Sequence, residues 1–127
     1  MEEFKIKFKA NLDWFIQSHN RNVWIIVPPL SVYVRKARRI VDGELRDVFD
    51  VASAEVDVDK QGMGYFTAAL ECVIDSCAGK FRAVHVENVI NERLSDHLSK
   101  SGGWELYSLP QQEVPSYIYR YDTNAKK

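Results

Sequence analysis

The fold is decided by the stretch Ala54-Glu55-Val56-Asp57-Val58-Asp59-Lys60-Gln61-Gly62-Met63-Gly64-Tyr65-Phe66. Its first five residues predict the end of a strand, Gln61 to Gly64 predict a turn, and the apolar spacing from Tyr65 to Ala78 predicts a helix. A glycine turn that opens a helix leaves backbone N–H groups unpaired at the positive end of the helix dipole, where phosphate or pyrophosphate binds. The alternative is a tight strand-to-helix turn that needs two glycines for its geometry alone.

The chain before this stretch predicts an antiparallel meander. Asp42-Gly43 is a strong signal for a two-residue hairpin, because glycine supplies the positive φ that such a turn needs. Near the N-terminus, Phe4–Lys9 alternates apolar and basic residues and predicts a strand, although the helix predicted from about Asn11 to His19 could equally extend back through it. The predicted strands of the meander are Val23–Val27, Leu30–Val41 and Leu45–Val58.

The chain after the first helix predicts a crossover and a closing pair of strands. A strand, a helix and a strand that follow an antiparallel meander form a β-α-β unit, so the two middle strands should be parallel. We therefore expect one α/β domain over residues 1–127, with a mixed and mostly antiparallel sheet. The predicted elements are a strand at Ala83–Glu87, a helix at about Asn91–Ser101, strands at Trp104–Leu109 and Ser116–Tyr121, and a frayed tail from Asp122.

Composition bounds the class of protein. The 127 residues are 46% hydrophobic, and 17 Lys and Arg against 18 Asp and Glu give a net charge of −1. This balance excludes a disordered chain and offers no overall field that would hold a polyanion. Cys72 and Cys77 lie five apart on the predicted helix and point about 140° from each other, so no disulfide is expected and a reducing, cytoplasmic location is predicted. No apolar run approaches the ~20 residues of a membrane helix.

Two motifs in register resemble those of the GNAT acetyltransferase family. That family has Gln/Arg-x-x-Gly-x-Gly/Ala after its fourth strand, and this chain matches it at Gln61 and Gly64 but carries Phe66 at the final small position. A second family signature, Asn early in the last helix and Gly eleven residues later, is met by Asn91 and Gly102. The stretch from Val86 to Leu94 is particularly similar to compact GNAT-like proteins of bacteriophages, and the likeness covers about Val23 to Tyr121.

The resemblance implies a GNAT-like sheet with helices on both faces and acetyl-CoA or CoA as the ligand. The edge of the strand from Val56 to Val58 would hydrogen-bond the pantetheine, and Asn91 would contact the pantetheine arm. The backbone amides that would hold the pyrophosphate are those of Gln61, Gly62, Met63, Gly64, Tyr65 and Phe66.

The resemblance leaves three candidates for the catalytic base: Asp50, His85 and Glu87. Strand alternation places Asp50 on one face of its strand with Ala52, Ala54 and Val56. Glu55 and Asp57 lie on the opposite face and are ranked lower as bases. On the next strand, His85 and Glu87 share a face. For each candidate the alternative is an ordinary hydrogen-bonded polar residue. Many family members protonate the leaving thiolate with a Tyr seven residues after the helix Asn, and this position is Leu98 here, which cannot donate a proton.

Other polar residues give weaker signals. The basic run Arg35, Lys36, Arg38 and Arg39 is typical of a solvated strand that discourages pairing, and its alternative is a contact with RNA, phosphate or an acidic partner. The three histidines have no metal-ligand spacing, so no metal is expected.

Two functions follow as hypotheses. The first is an N-acyltransferase that moves an acetyl group from acetyl-CoA to a primary amine or protein substrate. The second is a weakly active or inactive GNAT-like module that binds CoA, a host protein or both, in the host cytoplasm if a phage encodes it. A homodimer is compatible with either hypothesis, while a membrane partner is not expected and nucleic acid is a distant third.

Overall fold

The computed structural model describes residues 1–87, 92–100, 102–107 and 115–121. Within them the chain forms three α-helices, six β-strands and one short 3₁₀ helix at Val58–Lys60. The predicted order of elements is confirmed except at the N-terminus. The helices are α1 (Glu2–Gln17), α2 (Tyr65–Cys77) and α3 (Glu92–Lys100), and the strands are β1 (Asn22–Val27), β2 (Leu30–Val41), β3 (Glu44–Val56), β4 (Ala83–Val86), β5 (Trp104–Leu106) and β6 (Tyr117–Arg120).

Of the two interpretations of Phe4–Lys9, the strand is wrong and the backward extension of the helix is confirmed, because this segment is the first half of α1. Phe4 and Phe8 continue the helical stripe of Leu12 and Phe15, and all four side chains are buried. A helix therefore buries one continuous apolar face. The alternation that suggested a strand is broken by Ile6, which is 65% exposed.

The six strands form one sheet in the order β1-β2-β3-β4-β6-β5. Every neighbouring pair is antiparallel except β3 and β4, which are parallel and joined through α2. Asp42 and Gly43 turn the β2–β3 hairpin with φ of 54° and 80°, as the two-residue turn requires. The predicted mixed, mostly antiparallel α/β fold with a central crossover is thus confirmed.

The described helices all pack on one face of the sheet, so the expectation of helices on both faces is wrong. Buried residues of α1 and α2 and Leu98 of α3 form one cluster with Phe49 and Val84. The connections β3–α2–β4 and β4–α3–β5 step in the same direction across the sheet, and two right-handed crossovers in one direction place their helices on the same side. We call the other side the open face. It carries a small cluster of Val41, Val48, Ala83 and Ile118.

A β-bulge at Ala52 changes which β3 side chains share a face. Tyr33 pairs with Ser53 and Val34 with Val51, so Ala52 has no opposite residue on β2. The bulge reverses the alternation after Asp50. The expectation that Asp50 shares a face with Ala54 and Val56 is therefore wrong, because Asp50 lies on the open face and Val56 packs against the helix-covered core.

None of the described helices is both long enough and apolar enough to span a membrane.

Candidate functional site

The parallel strands β3 and β4 separate at one end of the sheet. Their pairing runs from Val48–Ala83 to Val51–Val86, and the Glu87 N–H donates the last bond to the Val51 carbonyl at 3.0 Å. Beyond this point β3 continues to Val56 and pairs only with β2. In the described part of the chain, no strand lies against that side of β3. A wedge therefore opens between the two strands.

The backbone of β3 points hydrogen-bonding groups into this wedge. The Asp57 N–H donates to the Pro29 carbonyl at 2.9 Å, which fixes the bonding alternation of the β2–β3 pair. Ala54 and Val56 then direct their N–H and C=O groups away from β2. The Val56 carbonyl accepts the Gln61 side-chain amide at 3.1 Å.

Val58 does not lie on the strand edge as the sequence predicted. It begins the 3₁₀ helix that follows β3, and its residue is 87% exposed. The edge of β3 that faces the wedge ends at Val56 and includes Ala54, which sequence reasoning missed. Ala54 could not be identified without the bulge at Ala52, because the bulge sets which β3 backbone groups point away from β2 and into the wedge.

The glycine turn places the start of α2 beside the wedge. Gly62 and Gly64 have φ of 79° and 89°, which only glycine adopts at little cost. Gly64 is the N-cap of α2 and offers no side chain to the first turn, which also contains no acidic residue. The first N–H groups of α2 therefore face outward at the positive end of the helix dipole.

The side chains of this turn leave the helix start accessible. Gln61 and Met63 are exposed, while Tyr65 and Phe66 pack against the core as partly buried residues. Phe66, which replaces the small residue of the family motif, thus directs its ring toward the core. The space around Gly64 is open, because a Cβ built there would meet no atom within 4 Å.

The three predicted catalytic candidates lie together on the open face, close to where the strands separate. One side-chain atom from each of Asp50, His85 and Glu87 lies within 4.8 Å of the others. Arg35 and Arg39 lie beside them. Arg39 donates two hydrogen bonds to Asp50, at 2.9 and 2.7 Å, and one to Glu87 at 3.2 Å. Arg35 donates one hydrogen bond to Asp50 at 3.0 Å and one to Glu87 at 2.6 Å. We call these five residues the charged cluster.

Asp50 is the buried centre of the charged cluster. Its residue is fully buried, whereas the Glu87 side chain is 26% exposed. Burial alone would raise the pKa of Asp50, but hydrogen bonds from His85 and Arg39 and the charge of Arg39 outweigh burial and hold that pKa well below its usual 3.8. The hydrogen bond to Asp50 in turn raises the pKa of Arg39. Asp50 is therefore ionised at neutral pH and is a weak base.

His85 is oriented by Asp50. Its Nδ1 lies 3.2 Å from Oδ1 of Asp50, and an ionised carboxylate only accepts hydrogen bonds, so Nδ1 must carry a proton. The ring of Tyr107 packs edge-on against the imidazole, with centroids 5.2 Å apart. His85 is 2% exposed, and in its neutral form the free lone pair is on Nε2.

The basic run of β2 is not the solvated edge that the sequence suggested. Arg35 and Arg39 belong to the charged cluster, whereas Arg38 pairs with Asp47 at 3.5 Å and the Lys36 ammonium lies 4.7 Å from the centre of the Phe15 ring. Alternation along the strand divides the run between the two faces.

The charged cluster is better suited to ion pairing than to metal binding. Asp50, His85 and Glu87 could each supply a ligand atom. Both carboxylates, however, already accept hydrogen bonds from Arg35 and Arg39, and a cation there would meet two guanidinium charges.

Four further residues from the sequence analysis are Asn91, Leu98, Cys72 and Cys77. Asn91 lies outside the described residues, so its role stays a prediction. Leu98 is 1% exposed within the core. The two cysteines are free and buried, and burial raises the pKa of both thiols, that of Cys77 to about 12. Burial and a raised pKa both argue against a nucleophilic role for either cysteine.

Comparison with known proteins gives a likeness in structure only. No protein-family model matches the sequence, and no curated protein matches it. Among the solved structures that match is Arabidopsis thaliana Naa50 in complex with the bisubstrate analogue CoA-Ac-MVNAL. It is 14% identical, the match covers 72% of this chain and 64% of that one, and the TM-score is 0.45. The chain thus spans less than two thirds of the length of that protein.

Proposed function

We propose that this protein is an acyl-CoA-dependent N-acyltransferase that moves an acetyl group from acetyl-CoA to a primary amine. The observation that carries the proposal is the wedge between β3 and β4, which opens directly beside the uncapped, glycine-opened start of α2. The wedge offers backbone groups to an extended amide chain, and the helix start offers N–H donors to a phosphate.

The cofactor site we propose uses both features together. The pyrophosphate of CoA would accept hydrogen bonds from the amides of residues 62–66, since the predicted Gln61 N–H donates to the Val58 carbonyl instead. The pantetheine would lie along Ala54 and Val56 as an added strand. Asn91 is proposed to contact the pantetheine arm. Because the net charge of the chain is −1, attraction of the anionic cofactor must come from these local dipoles.

The chemistry needs alignment and one proton transfer. The amine nitrogen attacks the thioester carbonyl carbon, the C–S bond breaks, CoA leaves as a thiolate, and the amine gives up a proton. Positioning supplies the larger part of such an acceleration. The buried Leu98 offers no proton to the sulfur, so the thiolate leaves unassisted or takes a proton from water.

We propose Glu87 as the proton acceptor. It is the residue at which β3 and β4 separate, and its carboxylate is the most exposed of the three candidates. Asp50 is a positioning residue, since its low pKa makes it a poor base, and it fixes Arg35, Arg39 and His85 around Glu87. The amine would approach across the open face, where no described helix covers the charged cluster.

Binding of acetyl-CoA tests the proposal through Gly64→Glu. A carboxylate at the helix start would repel the pyrophosphate and fill the open space, so we expect at least a ~100-fold loss of affinity in calorimetry, as like charges in contact cost several kcal/mol. Gly79→Glu is the matched control, because Gly79 also has positive φ (78°) and open space but lies at the other end of α2. This variant should bind as the wild type does. No heat from the wild type, or equal loss in both variants, would refute the proposed site.

A second candidate, a binding module without turnover, is favoured by one observation: the charges of the carboxylates in the charged cluster are balanced by two arginines. Such a module would bind CoA, a host protein or both. If the wild type binds acetyl-CoA but releases no free thiol with any amine of a broad panel, this second function replaces the first.

A further inference from the structure

The two edges of the sheet are built differently. β1 and β5 are the end strands. β5 has only three residues, and its Glu105 is held by Arg120, so the edge is short and charged. β1 has six residues, Asn22-Val23-Trp24-Ile25-Ile26-Val27, without a charge or a proline. Natural edge strands avoid unwanted pairing by being short or carrying charge. Only β5 has this protection.

Exposed apolar side chains lie on β1 itself and on α1, which packs against β1. On the open face, Trp24 is 45% and Ile26 63% exposed, and Trp24 lies against Tyr33 with ring centroids 5.4 Å apart. On the helix side, Trp14 of α1 is 60% exposed. Lys9 of α1 contacts Ser76 of α2, and Trp14 lies about 140° further round the helix, so Trp14 points away from α2.

The backbone of β1 has its free groups at three positions. The Lys36 N–H donates to the Arg21 carbonyl at 2.8 Å, so Arg21 is a hydrogen-bonded partner of Lys36. Antiparallel pairs alternate, and Asn22, Trp24 and Ile26 therefore direct their N–H and C=O groups away from β2. In the part of the chain that the structure describes, no other strand pairs with these groups.

We propose that β1 pairs antiparallel with β1 of a second copy of this chain, which forms a two-fold symmetric dimer with one continuous sheet. A single register uses all three outward positions. It sets Asn22 against Ile26 and Trp24 against Trp24 of the second copy, with the symmetry axis at Trp24. Isologous interfaces of this kind require a surface that complements itself.

Charge favours the antiparallel over the parallel arrangement of two copies. Arg21 precedes β1 and is exposed, and at the other end of the strand Glu3 lines a groove with Val27, Pro28 and Lys7, whose ammonium lies 3.9 Å from the Glu3 carboxylate. Antiparallel pairing brings Arg21 of each copy toward the Glu3–Lys7 pair of the other, whereas parallel pairing would set the two Arg21 side chains side by side. This inference stands apart from the proposed function, because no residue of the wedge takes part.

Sedimentation over a range of protein concentrations tests the dimer with Ile26→Lys. The wild type should sediment at twice the mass of the 14.7 kDa chain. In the proposed register each lysine would face Asn22 of the second copy, and the dimer would have to desolvate two charges that have no acidic partner, so association should weaken at least ~100-fold. Leu106→Lys is the matched control, because Leu106 is 64% exposed on the opposite edge strand against 63% for Ile26, and it should leave the dimer intact.

A disulfide tests the register independently. In the proposed pairing the two Cα atoms of residue 24 lie about 5.5 Å apart, a separation that a disulfide can bridge. Trp24→Cys should therefore give a covalent dimer on mild oxidation, and Leu106→Cys should not; the native cysteines are buried. A monomeric wild type, a dimer that Ile26→Lys leaves intact, or equal cross-linking of both cysteine variants would overturn the proposal, whether or not a strand of another protein binds β1.

Discussion

Asp50→Asn should lower the free energy of unfolding by about 3 kcal/mol at neutral pH, the lower end of the range for breaking a buried ion pair. The carboxylate is fully buried and accepts hydrogen bonds from Arg35, Arg39 and His85. An amide can accept only at its oxygen, so at least one guanidinium loses its partner. We expect a loss of stability at the lower end of this range, because both arginines keep their ion pairs with Glu87 and are partly exposed to water.

Urea denaturation of the wild type, Asp50→Asn and Asp47→Asn measures this effect. Asp47 lies on the same strand and pairs with Arg38, but its side chain is 72% exposed. An exposed pair contributes at most about 1 kcal/mol, so Asp47→Asn should be nearly neutral. Equal effects of the two variants would mean that the charged cluster adds no more stability than a surface ion pair.

The difference in unfolding free energy between the wild type and Asp50→Asn should depend on pH with a defined sign. The pKa of Asp50 is lower in the folded protein than its ordinary 3.8, so its contribution is complete above the unfolded pKa and is lost as pH falls through the folded value. The stability gap between wild type and Asp50→Asn should therefore stay constant from neutral pH down to about pH 5 and narrow below about pH 4. A gap that widens on acidification would contradict the lowered pKa.

Glu87→Gln should reduce the turnover number by about 100-fold or more, which is the usual loss when a general base is removed. Its affinity for acetyl-CoA should stay within about twofold of the wild type, since we place the cofactor along β3 and α2 and not on Glu87. Release of free thiol with an accepted amine gives the turnover, and calorimetry gives the affinity.

Glu55→Gln provides the control for this prediction. Glu55 is an exposed carboxylate on β3 opposite Ser31 and, because of the bulge, lies on the same face as Glu87. The substitution should leave turnover unchanged. If Glu87→Gln turns over as fast as the wild type, Glu87 is not the proton acceptor, and His85 becomes the candidate to test next.

The sequence was informative wherever a local rule sets the structure. The bounds of β2 and the turn at Asp42-Gly43 follow from composition and from glycine's positive φ. The turn even fixes the register: counting back from it sets Arg35 opposite Asp50. This signal was present in the sequence and would have identified Arg35 as a partner of Asp50.

Non-local packing decided the features that the sequence could not predict. Phe4–Lys9 fits a strand and a helix equally well until α2 provides a surface for Phe4 and Phe8. No glycine in the sequence indicates the bulge at Ala52. This bulge alone decides which β3 side chains lie on the same face of the sheet as Asp50. Bringing Asp50, His85 and Glu87 together required the parallel pairing of β3 with β4.

Amide hydrogen exchange with and without saturating CoA tests the central claim most directly. We predict slower exchange at the α2 start, at Gly62, Gly64 and Phe66, and along the wedge at Ala54 and Val56, because these N–H groups would bond the cofactor. Amides at the open outer side of β1, such as that of Ile26, should not change on CoA binding. Unchanged exchange at residues 62–66 with CoA present, or protection confined to other parts of the sheet, would contradict a cofactor site between β3 and the start of α2.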